Sequence, residues 1–149
     1  MRAHPEDAPA LTNIAFAAKR HWGYPEAWIE GWREALTITP EFISSHETHI
    51  AVVQSQRTGF HALAPNERGL ELLHLWVLPE SMGHGIGRAL FAHALERAGR
   101  LGLRTLEIES DPNAEGFYLR MGARRIGIKT EFLEGQPRVL PVLRYKIAP

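Results

Sequence analysis

The sequence predicts an α+β domain with a mixed, mostly antiparallel sheet, and three patterns along the chain carry this prediction. Apolar residues recur at helical spacing over residues 5–36, and short runs with strand character follow between residues 49 and 78. From residue 70 to residue 110 a strand, a glycine-rich turn, an amphipathic helix and a second strand succeed one another. The last pattern is typical of a right-handed crossover between parallel strands, and the short runs before it favour an antiparallel meander.

The composition indicates one domain. The chain has 149 residues, of which 44% are hydrophobic, and this is enough to bury a sizeable core. Neither a linker-like segment nor an internal repeat divides it, so we expect a single domain over residues 1–149. The lack of cysteine excludes disulfides and a cysteine nucleophile. Because no stretch resembles a signal peptide or a membrane span, we expect a cytoplasmic protein without a membrane partner.

The net charge is zero, but the charges are unevenly distributed. Residues 1–80 contain six Lys or Arg and ten Asp or Glu, whereas residues 81–130 contain eight and five. This asymmetry suits an anionic cofactor near the second segment and a cationic acceptor near the first, although ordinary solvated faces explain it as well. No lysine-rich or aromatic-interleaved stripe indicates a nucleic-acid partner.

The elements before the glycine-rich turn are two predicted helices and three predicted strands. Apolar spacing predicts the helices over residues 5–19 and 25–36. Alternation predicts strands over residues 49–54 and 59–63, and a third strand over residues 70–78 leads into the turn.

The glycine-rich turn contains Gly83, Gly85 and Gly87 directly before a helix. Glycine permits positive φ and a close approach of the backbone to a ligand, and a helix start offers unpaired amides. An anion, and in particular a pyrophosphate, is therefore the expected ligand. The turn is not a dinucleotide G-x-G-x-x-G motif, because Arg88 replaces the third glycine, and no G-K-[ST] follows it.

The elements after the turn complete the sheet. A helix is predicted over residues 86–101 and a strand over residues 103–110. Asp111 and Pro112 then suit the cap and first position of a short helix that ends at Gly122. Strands over residues 125–133 and 138–147 form a predicted hairpin, in which Pro141 indicates an edge or a bulge.

The glycine-rich turn, its helix, the next strand and the segment from Asn113 to Gly122 together resemble the acetyl-CoA half of the GNAT superfamily of N-acetyltransferases. The resemblance is close over residues 70–130 and loose over the rest of the chain. It implies a sheet of about six to seven strands flanked by about four helices, splayed between the two central parallel strands.

The same resemblance implies transfer of an acetyl group from acetyl-CoA, without a metal ion, to a primary amine of a small molecule. Direct attack in a ternary complex is the implied mechanism, and a homodimer is the implied assembly. The alternatives are a protein or peptide amine as acceptor, a noncatalytic acyl-CoA-binding regulatory module, and another kind of nucleotide-binding enzyme.

The cofactor-binding residues follow from the residues that match the family. The strand before the turn, the turn with its helix start, and the later short helix supply Leu75, Trp76, Val77, Met82, Gly83, His84, Gly85, Ile86, Gly87, Arg88, Asn113, Phe117 and Arg120. Met82 stands where the family usually has Gln or Arg, so we expect weaker phosphate binding rather than none.

The catalytic candidates are Tyr118, Glu71 and His74. Tyr118 matches the family's tyrosine, which protonates the departing thiolate. A primary amine with a pKa near ~10.4 is protonated at neutral pH, so a base is also needed. Glu71 and His74 are the candidates, but strand alternation places them on opposite faces unless a bulge intervenes, as it often does in this family.

The acceptor-site candidates are Trp22, Tyr24 and Trp28. The run from Lys19 to Tyr24 resembles a bacterial GNAT subgroup, and the family's connection between the first two helices overhangs the acceptor pocket. These aromatic side chains suit a cation or an apolar acceptor, although Trp28 equally suits a core position. His46 and His49 lack a third ligand, so no metal site is expected.

Overall fold

Six strands form one mixed sheet in the computed structural model, which describes residues 1–148. The strands are β1 (Glu47–Val53), β2 (Gln56–Asn66), β3 (Gly69–Val77), β4 (Thr105–Glu109), β5 (Arg124–Leu133) and β6 (Gln136–Lys146). The α-helices of the same residues are α1 (Ala8–His21), α2 (Glu26–Gly31), α3 (Arg33–Leu36), α4 (Pro40–Ser45), α5 (Ile86–Arg100) and α6 (Glu115–Arg120). The predicted domain extends to Pro149, which lies outside the described residues.

The sheet order is β1-β2-β3-β4-β6-β5. The central pair β3 and β4 is parallel and every other neighbouring pair is antiparallel, which confirms the predicted fold class. The parallel pairing covers only three positions, from Leu70 opposite Leu106 to Leu72 opposite Ile108. Beyond them the two strands separate, so the predicted splay is present.

Helices cover the sheet on both faces, and each face has its own apolar core. The side chains of α1 to α4 meet one face through Leu11, Ile14, Phe16, Ile29, Ile43, Ile50 and Phe60. Those of α5 and α6 meet the other face through Leu63, Leu72, Phe91, Ala94, Leu106, Ile108, Tyr118 and Leu143. The second core leaves one side of Tyr118 next to the gap between β3 and β4.

The predicted bulge is also present in β3. Ala62 of β2 lies opposite His74, but the next residue, Leu63, lies opposite Leu72, so Leu73 has no partner in β2. An extra residue reverses the alternation of the strand. Leu72 packs in the core under α5, and Glu71 and His74 therefore project from the same opposite face.

The region of the second predicted helix differs from the prediction. The helix breaks at Trp32 into α2 and α3, and Gly31 directly before the break is a poor helix former. A Cβ on Gly31 would lie 3.1 Å from the Leu133 side chain, so this glycine allows the β5–β6 hairpin to approach. The helix α4 was missed, although Thr39 and Pro40 are a helix-start signal: the Thr39 hydroxyl accepts from the Phe42 N–H at 3.0 Å.

The expectation of a sheet edge or bulge at Pro141 is wrong. β6 lies between β4 and β5, and the register shift of the hairpin occurs in β5 between Arg125 and Gly127. β4 ends opposite Val142, and the Pro141 carbonyl accepts from the Ser110 N–H at 2.9 Å. Since the N and the C=O of a strand residue point to the same side, the missing N–H faces a position that β4 no longer occupies.

Candidate functional site

A cavity of about 520 Å³ lies between the glycine-rich turn, the gap beside β3 and the start of α6. Its volume falls within the range of roughly 300–1,000 Å³ that is typical of small-molecule sites. Of the thirteen predicted cofactor-binding residues, those that line it are Leu75, Trp76, Val77, Met82, Gly83, Gly85, Ile86, Gly87, Arg88, Asn113, Phe117 and Arg120. His84 is exposed in the turn and does not line the cavity.

The glycine-rich turn forms a cradle of backbone amides at one end of this cavity. Gly83 and Gly85 have φ of 82° and 80°, and a Cβ on either would meet no atom within 4 Å. The N–H of Ala89 donates to Gly85 O at 3.0 Å, so the amides of residues 86–88 precede the first hydrogen bond of α5. Free amides, empty space where side chains would project and the lining Arg88 together fit a diphosphate.

Gly87 has a different role from the other two glycines. It lies inside α5, and a Cβ there would be 3.6 Å from the Phe117 ring. Its backbone is helical rather than left-handed, so the expectation of positive φ holds for two of the three glycines. Gly87 thus lies where α5 faces α6, the helix that carries Tyr118, at a distance that would also accommodate a Cβ in ordinary van der Waals contact.

The gap between β3 and β4 forms the other end of the cavity. β4 pairs with β3 only as far as Leu72, so the edge of β3 that faces β4 has no neighbouring strand along Leu75, Trp76 and Val77. Tyr118 of α6 lines the cavity at this end. Burial, followed by the charge of Asp111, raises the pKa of Tyr118, so the phenol is a neutral proton donor at neutral pH.

Glu71 and His74 do not line the cavity, although the bulge brings them to one face. Glu71 lies on the open part of that face, and its carboxylate accepts a long hydrogen bond of 3.5 Å from Asn66. Burial, and then repulsion by Glu109, raises the pKa of Glu71. Glu109 does line the cavity, so Glu71 is next to a side chain that lines it.

His74 lies in an apolar environment beneath α4. Its ring packs against Phe42 and Phe60, and its Nδ1 accepts a hydrogen bond of 2.9 Å from the Trp76 indole. Burial, and then the proximity of His46, lowers the pKa of His74 to about 4. At neutral pH the ring is therefore neutral and a weak base.

Of the three predicted acceptor-site residues, one lines the cavity and two do not. Trp22 is 39% exposed and lines the cavity. Tyr24 and Trp28 instead stack on each other at 5.8 Å outside the cavity lining. The cations beside Tyr24 belong to this chain: the Lys19 ammonium lies 5.1 Å and the Arg138 guanidinium 5.1 Å from the centroid of its ring.

Asp111 lines the cavity and makes two ion pairs that the sequence did not predict. As predicted, its side chain caps the turn that leads into α6, accepting from the Asn113 N–H at 2.8 Å. It also pairs with Lys19 at 2.6 Å and with Arg138 at 3.2 Å. These partners are 92 and 27 residues away in sequence, so no local spacing could have indicated them.

Two negative findings apply to the described residues. Within residues 1–148 no three His, Cys, Asp or Glu side chains are arranged to hold a metal ion. No helix in that range is long and apolar enough to span a membrane.

The comparison with protein families shows which family has this glycine-rich turn between splayed strands. Residues 24–135 match the family model described as the acetyltransferase (GNAT) domain. The chain belongs to the GNAT acetyltransferase family. The matched range of this GNAT chain contains β3, the glycine-rich turn, α5, β4 and α6. A comparison with curated proteins finds no significant match.

Solved structures share the fold of this GNAT chain over almost its whole length. A GCN5-related N-acetyltransferase from Rhodopseudomonas palustris is 23% identical with a TM-score of 0.81, covering 97% of this chain and 92% of that one. The PaiA N-acetyltransferase from Thermoplasma acidophilum, in complex with coenzyme A, is 23% identical with a TM-score of 0.76, covering 98% and 96%. The ribosomal-protein-S18-alanine N-acetyltransferase from Escherichia coli is 17% identical with a TM-score of 0.73, covering 100% and 93%.

Proposed function

We propose that this GNAT chain transfers the acetyl group of acetyl-CoA to a primary amine of a small molecule, by direct attack within a ternary complex. The observation that carries the proposal is the continuity of one cavity from the amide cradle at Gly83 and Gly85 to the gap beside Tyr118. A diphosphate at one end and a thioester at the other match the two ends of acetyl-CoA. A solved structure of the same fold, the PaiA N-acetyltransferase from Thermoplasma acidophilum, is in complex with coenzyme A, which supports coenzyme A as the ligand.

The residues of the gap fit the requirements of acyl transfer to nitrogen. When bound, acetyl-CoA supplies an electrophilic thioester carbonyl. Successive strand residues direct their N–H groups to opposite sides, and Leu78 donates to Thr58 of β2, so the N–H of Trp76 also faces β2 and that of Val77 faces the gap. The Val77 N–H, on the unpaired edge of β3, is therefore the donor available to polarise that carbonyl. Tyr118 holds the proton that the departing sulfur needs as the C–S bond breaks and the new C–N bond forms.

The acceptor ammonium must first lose a proton, and Glu71 is the proposed base. It lies on the open face next to Glu109, and its pKa is raised toward the range in which a carboxylate accepts a proton effectively at neutral pH. A water molecule is the proposed link between Glu71 and the amine, because Glu71 itself does not line the cavity. His74 is the weaker candidate, since its ring is enclosed by Phe42, Phe60 and Trp76.

The test is release of free thiol from acetyl-CoA by the purified protein with pooled primary amines, followed by identification of the acetylated product by mass spectrometry. Sustained, amine-dependent turnover supports the proposal. Binding of coenzyme A without turnover would favour the noncatalytic regulatory module, and acetylation of peptides alone would favour a peptide acceptor. Protection against heating by ATP or NAD, with none from coenzyme A, would instead indicate another nucleotide-binding enzyme.

Tyr118→Phe tests the acid within the same assay. We expect kcat to fall by about 10²-fold, with little change in the affinity for coenzyme A, because the hydroxyl acts only when the sulfur departs. Tyr145→Phe is the matched control, since the Tyr145 ring packs against Phe91 outside the cavity. An unchanged kcat in Tyr118→Phe, where chemistry limits the rate, would remove the assigned role.

We further propose that two copies associate through the β5–β6 hairpin. β5 is an edge strand, and Ile128 and Phe132 of β5 share one face of the hairpin with Val139 of β6, which lies opposite Thr130; their exposures are 60%, 73% and 50%. A contiguous exposed apolar face of this kind is typical of a contact surface. Light scattering of the native protein and of Phe132→Lys tests this: a native dimer that dissociates in the variant is expected, and a native monomer would contradict it.

A further inference from the structure

A buried polar cluster closes one side of the gap between β3 and β4. We define it as Lys19, Tyr24, Asp111 and Arg138, whose side chains come from the end of α1, the α1–α2 connection, the end of β4 and β6. The side chains of Lys19, Asp111 and Arg138 are only 9%, 9% and 10% exposed. Three charged groups are thus taken out of water at a single place beside the cavity.

Asp111 is the centre of this cluster. Besides the two ion pairs described above, it accepts from the Tyr24 hydroxyl, which lies 3.0 Å from each of its carboxylate oxygens. The Tyr24 oxygen in turn accepts from Arg138 at 2.7 Å and from the Asn113 amide at 2.9 Å. Arg138 also pairs with Glu131 at 3.0 Å, so every charge of the cluster has an opposite partner.

A gain in folding stability does not by itself explain why these charged side chains are buried. Removing charged groups from water costs several kcal/mol per ion by typical magnitudes, and apolar side chains of similar size often stabilise a protein as well or better. Burial lowers the pKa of Lys19 against the opposing attraction of Asp111, as expected for an ammonium group removed from water. Pairing with Lys19 lowers the pKa of Asp111 although burial raises it, so the carboxylate remains ionised at neutral pH.

The position of the cluster indicates what it holds. Trp22, between Lys19 and Tyr24 in the chain, lines the cavity, as do Asp111 and Asn113. Lys19 also lies 5.9 Å from the ring of Trp76, across the gap from β4. The cluster therefore connects the segment from Trp22 to Tyr24 with both strands of the gap and with the turn that begins α6.

We propose that Tyr24 and Asp111 are positioning residues for the acceptor amine: their hydrogen bond holds the Trp22–Tyr24 segment over the cavity in the arrangement that the acceptor requires. This inference rests on the proposed acetyltransferase function and adds to it a determinant of acceptor binding. The side chains that fix the segment do not touch the cradle at Gly83 and Gly85, and their one link to the predicted cofactor-binding residues is Asn113, which donates to both Tyr24 and Asp111.

The principal test is Tyr24→Phe, which removes the hydroxyl and keeps the ring in contact with Lys19, Trp28 and Trp32. Kinetics are measured with acetyl-CoA and a panel containing phenethylamine, 1,5-diaminopentane and an alanine-initiated peptide. The KM of the best amine is expected to rise at least about tenfold, the factor for loss of one hydrogen bond to a charged group, with kcat changed less. The Kd of coenzyme A, measured by calorimetry, is expected to change less than the KM of the amine, because the cradle is untouched and the Asn113 amide keeps its hydrogen bond of 3.0 Å to Asp111.

Two further variants make the test specific. Tyr145→Phe is the matched control outside the cavity and is expected to behave as the native protein. Asp111→Asn keeps the shape and the cap of the turn but weakens the pairing with Lys19, and it is expected to raise the same KM. Asp111→Ala is avoided, because it would leave the buried Lys19 ammonium without its carboxylate partner. An unchanged acceptor KM in both Tyr24→Phe and Asp111→Asn would overturn the proposal.

Amide hydrogen exchange over residues 20–24 gives a readout that needs no acceptor. Faster exchange of this segment in Tyr24→Phe than in the native protein is expected, with exchange in α5 unchanged. Equal exchange in the two proteins would overturn the proposal even where no panel amine is acetylated. Failure of the native protein to bind coenzyme A would instead count against the proposed function, so the two failures are distinguishable.

Discussion

Gly85→Ala separates the role of the cradle in ligand binding from its role in backbone geometry. Gly85 has a φ of 80°, and an added Cβ would meet no protein atom within 4 Å. The left-handed backbone alone therefore costs roughly 1–2 kcal/mol of unfolding free energy when alanine replaces glycine. For a chain of this size each kcal/mol lowers Tm by about 2–4 °C.

Gly102→Ala is a closely matched control. Gly102 also has a φ of 80° with nothing within 4 Å of an added Cβ, but it lies just past the other end of α5 and does not line the cavity. Both variants should therefore lose the same stability. Only at Gly85 would the methyl group project into the cradle, where loss of one hydrogen bond to a charged phosphate weakens binding about 10- to 150-fold.

The assay is calorimetric titration of coenzyme A into the native protein and the two variants, with thermal unfolding measured on the same samples. We expect similar losses of Tm in Gly85→Ala and Gly102→Ala, and a large rise in Kd in Gly85→Ala alone. Equal Kd values for the two variants would refute the reasoning, because the cradle would then not hold the phosphates.

Three further predictions concern the cofactor, the base and the histidines. Met82→Arg, which restores a donor side chain at the cavity, is expected to lower the Kd of coenzyme A by about tenfold, the value of one charge-assisted hydrogen bond; calorimetry checks this, and a weaker Kd would contradict it. Glu71→Gln is expected to lower kcat/KM for the amine by about 10²-fold. Glu109→Gln is expected to shift the acidic limb of the pH profile of kcat/KM to lower pH, because repulsion by Glu109 raises the pKa of Glu71. A greater loss of kcat/KM in His74→Gln than in Glu71→Gln would favour His74 as the base. Burial lowers the pKa of His61 to about 3, whereas the ordinary pKa of histidine is near ~6.5. Between these two values the unfolded chain binds a proton that the folded protein does not bind. The free energy of unfolding therefore falls as the pH falls from about 6.5 toward 3, by up to about 1.4 kcal/mol per pH unit. Denaturant unfolding of His61→Leu between pH 6.5 and 4 should show a shallower loss of unfolding free energy than the native protein, and parallel curves would contradict the assignment.

The sequence predicted the fold well because its strongest signals are local. The glycine-rich turn, the apolar face of α5 and the alternation in β3 and β4 each depend on residues a few positions apart. The break at Trp32 was not predictable in this way, because Gly31 there accommodates Leu133 from a hairpin about a hundred residues later. Pro141 was misjudged for a related reason: its place inside the sheet depends on where β4 ends.

At the end proposed for the cofactor, twelve of the thirteen residues named from the sequence line the cavity, whereas at the end proposed for the acceptor only Trp22 of the three does. The cradle is one continuous segment, so its residues could be identified together. The acceptor end combines Trp22, Asp111 and Arg138 from three separate elements, and sequence does not fix their distances. Tyr24 illustrates the consequence: its residue type suits a cation, but the cations beside it are Lys19 and Arg138 of the same chain.

A crystal structure of the protein with coenzyme A would test the central claim most directly. We expect the diphosphate to accept hydrogen bonds of about 2.7–3.2 Å from backbone N–H groups of residues 83–88, and the sulfur to lie between β3 and β4 beside Tyr118. Coenzyme bound outside this cavity, or none bound at millimolar concentration, would contradict the account.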